Sequence, residues 1–188
     1  MRLDRFDNRA FDRGRPWLVE AMWRVFEGAL VNSGLPGSGW RVALLRLFGA
    51  RVGGGVVIKP YVRVKFPWKL HIGDHSWIGE SVWIDNLESV AIGAHCCVSQ
   101  GAYLCTGNHR WDDTSFALVT QPIIIGDQCW IGAQARVAPG VTCGEGAVLC
   151  LGGVATADLE AWTINAGIPA TRVRLREKTG IVPEASPG

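Results

Sequence analysis

The 188-residue sequence contains no apolar run approaching the roughly eighteen residues that a membrane-spanning helix requires, so it offers no transmembrane segment. The opening MRLDRFDNRAFDRGR, charged throughout with no apolar stretch behind it, does not read as a secretory signal, and the expected compartment is the cytoplasm. Net charge is nearly absent, at +2, which gives no reason to invoke nucleic acid. Six cysteines are present, at 96, 97, 105, 129, 143 and 150, but none forms a C-x-x-C pair, which removes zinc knuckles and dithiol redox motifs. The set reads as reduced structural thiols, with Cys143 standing where similar units carry Ile or Val.

What the sequence does have is glycine, placed with a rhythm. From Ile72 to Ala155 an aliphatic residue, often followed by glycine, recurs every six residues: IGDHSW, IGESVW and the I-D-N-L variant at Ile84, then, after a two-residue slip, IGAHCC, VSQGAY and LCTGNH. After a gap come IGDQCW, IGAQAR, VAPGVT, CGEGAV and LCLGGV. Neither helical periodicity nor helix propensity suits this pattern. A six-residue period with a small residue in most units describes short strands joined by tight corners, that is, a β-solenoid. The aliphatic residues are expected to point inward, and the glycines are expected to supply the positive φ of the corners.

Three regions follow. Residues 1–50 form a polar arm and a helical cap, the arm (1–15) being weakly ordered unless docked. Trp17, Leu18, Ala21, Met22, Val25, Phe26, Ala29 and Leu30 keep i, i+3, i+4 spacing behind Pro16, which suits the first helical position. A second helix is expected from about Gly39 to Phe48, closed by Gly49. Residues 51–165 are the solenoid, with Val56, Ile58, Val62 and Val64 as early inward positions and an inserted loop at 108–122. Residues 166–188 form a C-terminal turn and tail, the final TGIVPEASPG frayed. The helices suit the exposed end of a solenoid. Alternatively, Arg24, Arg41, Arg46 and Arg51 beside Trp17, Trp23, Trp40 and Phe48 suit an anionic membrane surface, placing the protein peripherally at the inner membrane.

Chemistry is expected where the repeat is interrupted, since regular coils are structural and inserted loops carry function. His109 stands at the start of the insertion, after Thr106-Gly107-Asn108, whereas His71, His75 and His95 lie on regular coils as outward-facing residues. An imidazole there can take a proton from an attacking alcohol.

The motifs LCTGNH (104–109), PIIIGDQCWIGA (122–133), VAPGVT (137–142) and AGIPA (166–170) together resemble the hexapeptide-repeat acyltransferases of the left-handed β-helix class. Within that class they are most similar to the galactoside, maltose and nodulation-factor acetyltransferases, and GWRVALLRLFGARVG (39–53) with I-D-N-L (84–87) resembles the colanic-acid type. The resemblance implies a mainly β, left-handed parallel β-helix and a homotrimer with active sites between subunits. It further implies acetyl-CoA as donor, a sugar or glycan acceptor, whether free or lipid-linked, and no metal. His109 matches the catalytic base, with Asn108 intervening after the T-G. Asp85, Asn86 and Asn108 fall on the acceptor and orienting side; Trp130, Ala133, Leu151, Thr156, Arg172 and Arg174 fall on the cofactor side. A lysine common in the family is replaced by Ala157, leaving the arginines to hold phosphate. The function implied is O-acetylation of a sugar in surface polysaccharide synthesis, with direct attack on the thioester. The alternatives are N-acetylation of an amino sugar, a non-catalytic structural solenoid, a Cys105 nucleophile, and a zinc site of the γ-carbonic-anhydrase kind. For that last one, the spacing of His71 and His75 is one residue short.

Overall fold

The computed structural model describes residues 2–9 and 11–178, and within them the hexads build a prism of three parallel sheets. The first sheet stacks β1 (Arg51–Val52), β4 (Leu70–Ile72), β7 (Val90–Ile92), β12 (Ile123–Ile125) and β15 (Thr142–Cys143). The second stacks β2 (Val57–Ile58), β5 (Trp77–Ile78), β8 (Cys97–Val98), β13 (Trp130–Ile131) and β16 (Val148–Leu149). The third stacks β3 (Arg63–Val64), β6 (Trp83–Asp85), β9 (Tyr103–Cys105), β14 (Arg136–Val137) and β17 (Val154–Ala155). Because pairing joins the same unit of successive coils, like residues stack into columns. Val52, Ile72, Ile92, Ile125 and Cys143 form one, Ile58, Ile78, Val98, Ile131 and Leu149 a second, and Val64, Ile84, Leu104, Val137 and Ala155 the third. All are buried, as are Val56 and Val62, so the inward positions are those the repeat predicts.

The corners work differently from the expectation. The glycine that follows each aliphatic residue does not carry the positive φ; that falls two residues later, at His75, Ser81, His95, Gln128 and Gln134, or at Gly146 and Gly152. The first glycine is required for another reason. A Cβ on Gly73, Gly93, Gly126 or Gly132 would lie under 3.0 Å from backbone atoms of the next coil. The repeat glycine therefore sets how closely coils stack.

The open first coil exposes three edge strands, and the N-terminal helices close each with a side chain. Helix α1 (Trp17–Phe26) runs into a π-helical turn, Glu27–Val31. From it, Trp23 Nε1 donates to the Val64 carbonyl at 2.8 Å, and Glu27 Oε1 accepts from the Val64 amide at 3.2 Å. Ser38 Oγ accepts from the Ile58 amide at 2.7 Å. Helix α2 (Gly39–Leu47), closed by Gly49 at φ +97°, places Arg46 Nη2 at 2.7 Å from the carbonyls of Val52 and Gly53. Arg41, read in the sequence among the basic surface residues, is instead fully buried, and its guanidinium binds the carbonyls of Val31, Ser33, Leu35 and Gly37 to shape the turn between the helices.

At the far end, β18 (Thr163–Gly167) pairs with β16 and folds back on β19 (Ala170–Leu175). The expected turn is thus the bend of a hairpin, and the expected tail begins as a strand; the run Thr179–Gly188 lies outside the described residues. The N-terminal arm is docked. Trp68 Nε1 donates to the Arg13 carbonyl at 2.6 Å, Lys69 Nζ to Asp12 at 3.0 Å, and the Arg2 amide to Thr114 at 2.9 Å.

Candidate active site

The insertion leaves the prism after β9 as an antiparallel hairpin of β10 (Gly107–His109) and β11 (Leu118–Thr120), with His109 opposite Leu118. The T-G-N-H sequence explains its root. Thr106 is buried and its hydroxyl donates to the Asp85 carbonyl at 2.9 Å while accepting the Glu88 amide at 3.0 Å, which pins the hairpin to the coil beneath. At Gly107 a Cβ would strike Leu87, so this position admits only the closest approach. Asn108 is exposed, and its side chain accepts from the His109 amide at 2.8 Å.

The His109 ring is half-buried, stacked on Phe116 with centroids 4.2 Å apart and planes 5° from parallel. Its Nδ1 lies 2.8 Å from the Phe116 carbonyl oxygen. A carbonyl can only accept, so Nδ1 carries a proton, and in the neutral ring the lone pair is on Nε2. Phe116 itself sits in the left-handed region at φ +49°. The sequence placed the orienting role on Asp85 and Asn86; the structure gives the contact to a backbone carbonyl, which has no side-chain signature.

Asp85 and Asn86 occupy the corner of the coil beneath the hairpin, with different fates. Asn86 is fully buried, and its amide bridges the backbone of Phe66, accepting at 3.0 Å and donating at 2.6 Å. It is committed to joining two coils. Asp85 Oδ2 accepts from the Tyr103 hydroxyl at 3.0 Å, and Lys65 Nζ stands 3.1 Å from Oδ1 at an angle too poor for a hydrogen bond. Burial, then the neighbouring Cys105 and Asp85, push the Tyr103 phenol above its ordinary range, so it remains a donor. The Cys105 thiol points to the Gly107 carbonyl at 3.2 Å. A cavity of about 260 Å³ opens beside His109, lined by Lys65, Phe66, Leu87 and Leu118 and, from the arm, Phe6 and Phe11. The Phe6 ring lies 5.5 Å from that of His109. The arm's contribution was not read in the sequence, although two phenylalanines in an otherwise polar segment were the available signal.

Three of the residues assigned to the cofactor converge elsewhere. Trp130, Ala133 and Leu151 line one groove of about 450 Å³, together with Ser99, Gln100 and Cys150. Trp130 is exposed, and its Nε1 is fixed on Ser99 Oγ at 2.9 Å. Thr156, Arg172 and Arg174 lie outside this groove: Thr156 follows β17, and the arginines are on β19, with Arg172 paired to Glu160 at 2.7 Å. The groove and the His109 cavity share no residue. Among the described residues no group of three His, Cys, Asp or Glu side chains could hold a metal ion.

A family model described as the hexapeptide repeat of succinyl-transferase matches residues 122–157. WcaF of Escherichia coli (strain K12), an acetyltransferase named for colanic acid biosynthesis, is 39% identical over 171 residues, covering 91% of this chain and 94% of its own length. The galactoside O-acetyltransferase of the same organism is 28% identical over 137 residues, covering 71% of this chain and 68% of its own. Among solved structures, the hexapeptide-repeat acetyltransferase VCA0836 of Vibrio cholerae, complexed with acetyl-CoA, superposes with a TM-score of 0.79 at 24% identity, covering 86% of this chain and 88% of that one. Given a relative this similar along nearly its whole length, the chain belongs to the hexapeptide-repeat acetyltransferase family.

Proposed function

We propose that the protein is an acetyl-CoA-dependent O-acetyltransferase of the cytoplasm, acting on a sugar hydroxyl of a surface-glycan precursor. The observation that carries this reading is the 2.8 Å contact of His109 Nδ1 with the Phe116 carbonyl, which puts the lone pair of the neutral ring on Nε2, in a residue that lines a cavity. Nε2 accepts the hydroxyl proton as the sugar oxygen adds to the acetyl carbonyl, then returns it to the departing sulfur. Such a base is worth about 10²–10⁴-fold in rate. The groove of Trp130, Ala133 and Leu151 fits an extended thioester arm, because an exposed ring and a glycine-backed floor ask for no charge. Arg174 is the arginine of the pair with no acid beside it among the described residues, and it is assigned to the donor's phosphates. The groove and the His109 cavity share no residue, which suits the homotrimer that the resemblance implies, with the groove of one copy facing His109 of its neighbour. The names of the relatives support sugar as the acceptor class.

The test has two arms. Excess acetyl-CoA is expected to raise the thermal midpoint by several degrees, about 2.7 kcal/mol at a hundredfold excess over Kd. His109→Ala is expected to keep that rise while losing at least about a hundredfold in CoA release with a sugar acceptor. Product cleaved by hydroxylamine is an ester; resistant product would transfer the reading to an amino sugar. Full turnover in the variant would move the base elsewhere.

A further inference from the structure

Helix α1 turns the wrong side to water for a solvated helix. Its buried contacts to the prism are made by Trp23, with Val19 half-buried behind it, whereas the apolar stripe faces outward. Trp17 is 76% exposed, Val25 68%, and Leu47 at the end of α2 79%, with Leu18, Met22 and Phe26 between them. Met22, Phe26 and Leu47 line one side of an open apolar groove whose rim is Arg15.

Charge decides what this surface meets. Between Pro16 and Gly73 the sequence carries eight Lys and Arg and only two acids. Both acids are taken: Glu20 is turned to Arg13 at 2.8 Å and to Arg24 at 3.9 Å, and Glu27 is held at the Val64 amide. No carboxylate therefore stands on the outward face, while Arg15, Arg24 and Arg46 are exposed around it. Farther along the same end of the prism, Arg51, Lys59 and Arg63 are also exposed. Tryptophan, phenylalanine and leucine on one face with a fringe of arginine is the chemistry of a helix lying in the headgroup layer of an anionic bilayer. No described helix is long and apolar enough to cross one.

We propose that the N-terminal end of the prism docks on anionic lipid through the outward face of α1. The cap thereby has two sides, one closing the sheets and the other facing a membrane. The face shares no residue with the donor groove, while Arg24 at its edge also lines the His109 cavity.

The test is cosedimentation of the full chain with vesicles of phosphatidylglycerol and phosphatidylcholine in equal parts, against phosphatidylcholine alone. Binding is expected on the anionic vesicles, weakening toward about 0.5 M salt as the Debye length shortens. Leu18→Glu with Val25→Glu should lower the partition coefficient at least tenfold, and Arg15→Gln with Arg51→Gln about fivefold per arginine. Both pairs are exposed, so an unchanged thermal midpoint and an unchanged acetyl-CoA shift report an intact fold and donor site. Failure of the wild type to prefer anionic vesicles overturns the proposal, as does wild-type binding by the glutamate variant. A fall in molar mass of that variant by light scattering, without vesicle binding by the wild type, would assign the face to a second copy.

Discussion

At the scale of single residues, the most informative group outside the active site is Glu27, whose burial raises its carboxyl pKa above the ordinary 4.5 despite the Val64 amide and the nearby Arg24 and Arg63. A group that holds its proton more tightly folded than unfolded favours the fold at low pH. That contribution is lost as pH rises from the unfolded value through the raised folded one. Glu27→Gln keeps an oxygen for the Val64 amide and removes the titration. Its thermal midpoint relative to wild type is therefore expected to be higher at pH 7.5 than at pH 4, and an equal difference at both would reject the account. His109 was legible because it stands at the one break in the rhythm. Its partner was not, since the Phe116 carbonyl is backbone and only the left-handed turn of the hairpin brings it round. Asn86 shows the converse: a polar side chain in a glycine-free unit signalled a site and turned out to tie two coils together.

Among the elements, the hairpin separates two roles that the sequence joined in one loop. Its last strand pair carries His109; the loop beyond carries the group that fixes the ring. Because His109 and Leu118 are directly opposed, residues 110–117 can be replaced by Asn-Gly, which suits a two-residue turn. The shortened hairpin keeps the histidine and loses Phe116. Turnover is expected to fall at least about tenfold, the low end for a base with an unfixed tautomer, with the acetyl-CoA thermal shift unaltered. Undiminished turnover would show that the carbonyl is dispensable. Strands were the easiest elements to read, since each hexad maps onto one side of the prism. The corner glycines were legible only in part: Gly101, Gly140, Gly146 and Gly152 carry the expected positive φ, but close coil stacking also selects glycine, and only the geometry separates the two.

For the whole molecule, stability depends on how the prism ends. Trp23→Phe deletes the donor to the Val64 carbonyl, leaving a buried acceptor unpaired at a cost of about 1–3 kcal/mol, to which the space left by the smaller ring adds. Trp40→Phe removes the exposed bond to Pro36 and is expected to cost about 0.5 kcal/mol or less. Thermal unfolding of both variants checks the contrast, and similar losses would deny α1 its closing role. Which face of α1 turns inward was not legible, because a lone tryptophan off the apolar stripe outweighs the stripe once an edge strand needs its N–H. The uneven corners have a consequence for assembly of the chain. Coils of identical outline could pair one step out of place, since every column offers the same aliphatic neighbour. The Pro67–Lys69 turn on one coil, the Asn86 bridge on the next and the hairpin on the third make each corner unlike the others. These irregularities act as addresses, and a slipped register would strand Asn86 without Phe66, which penalises the misfolded alternative more than it improves the native one.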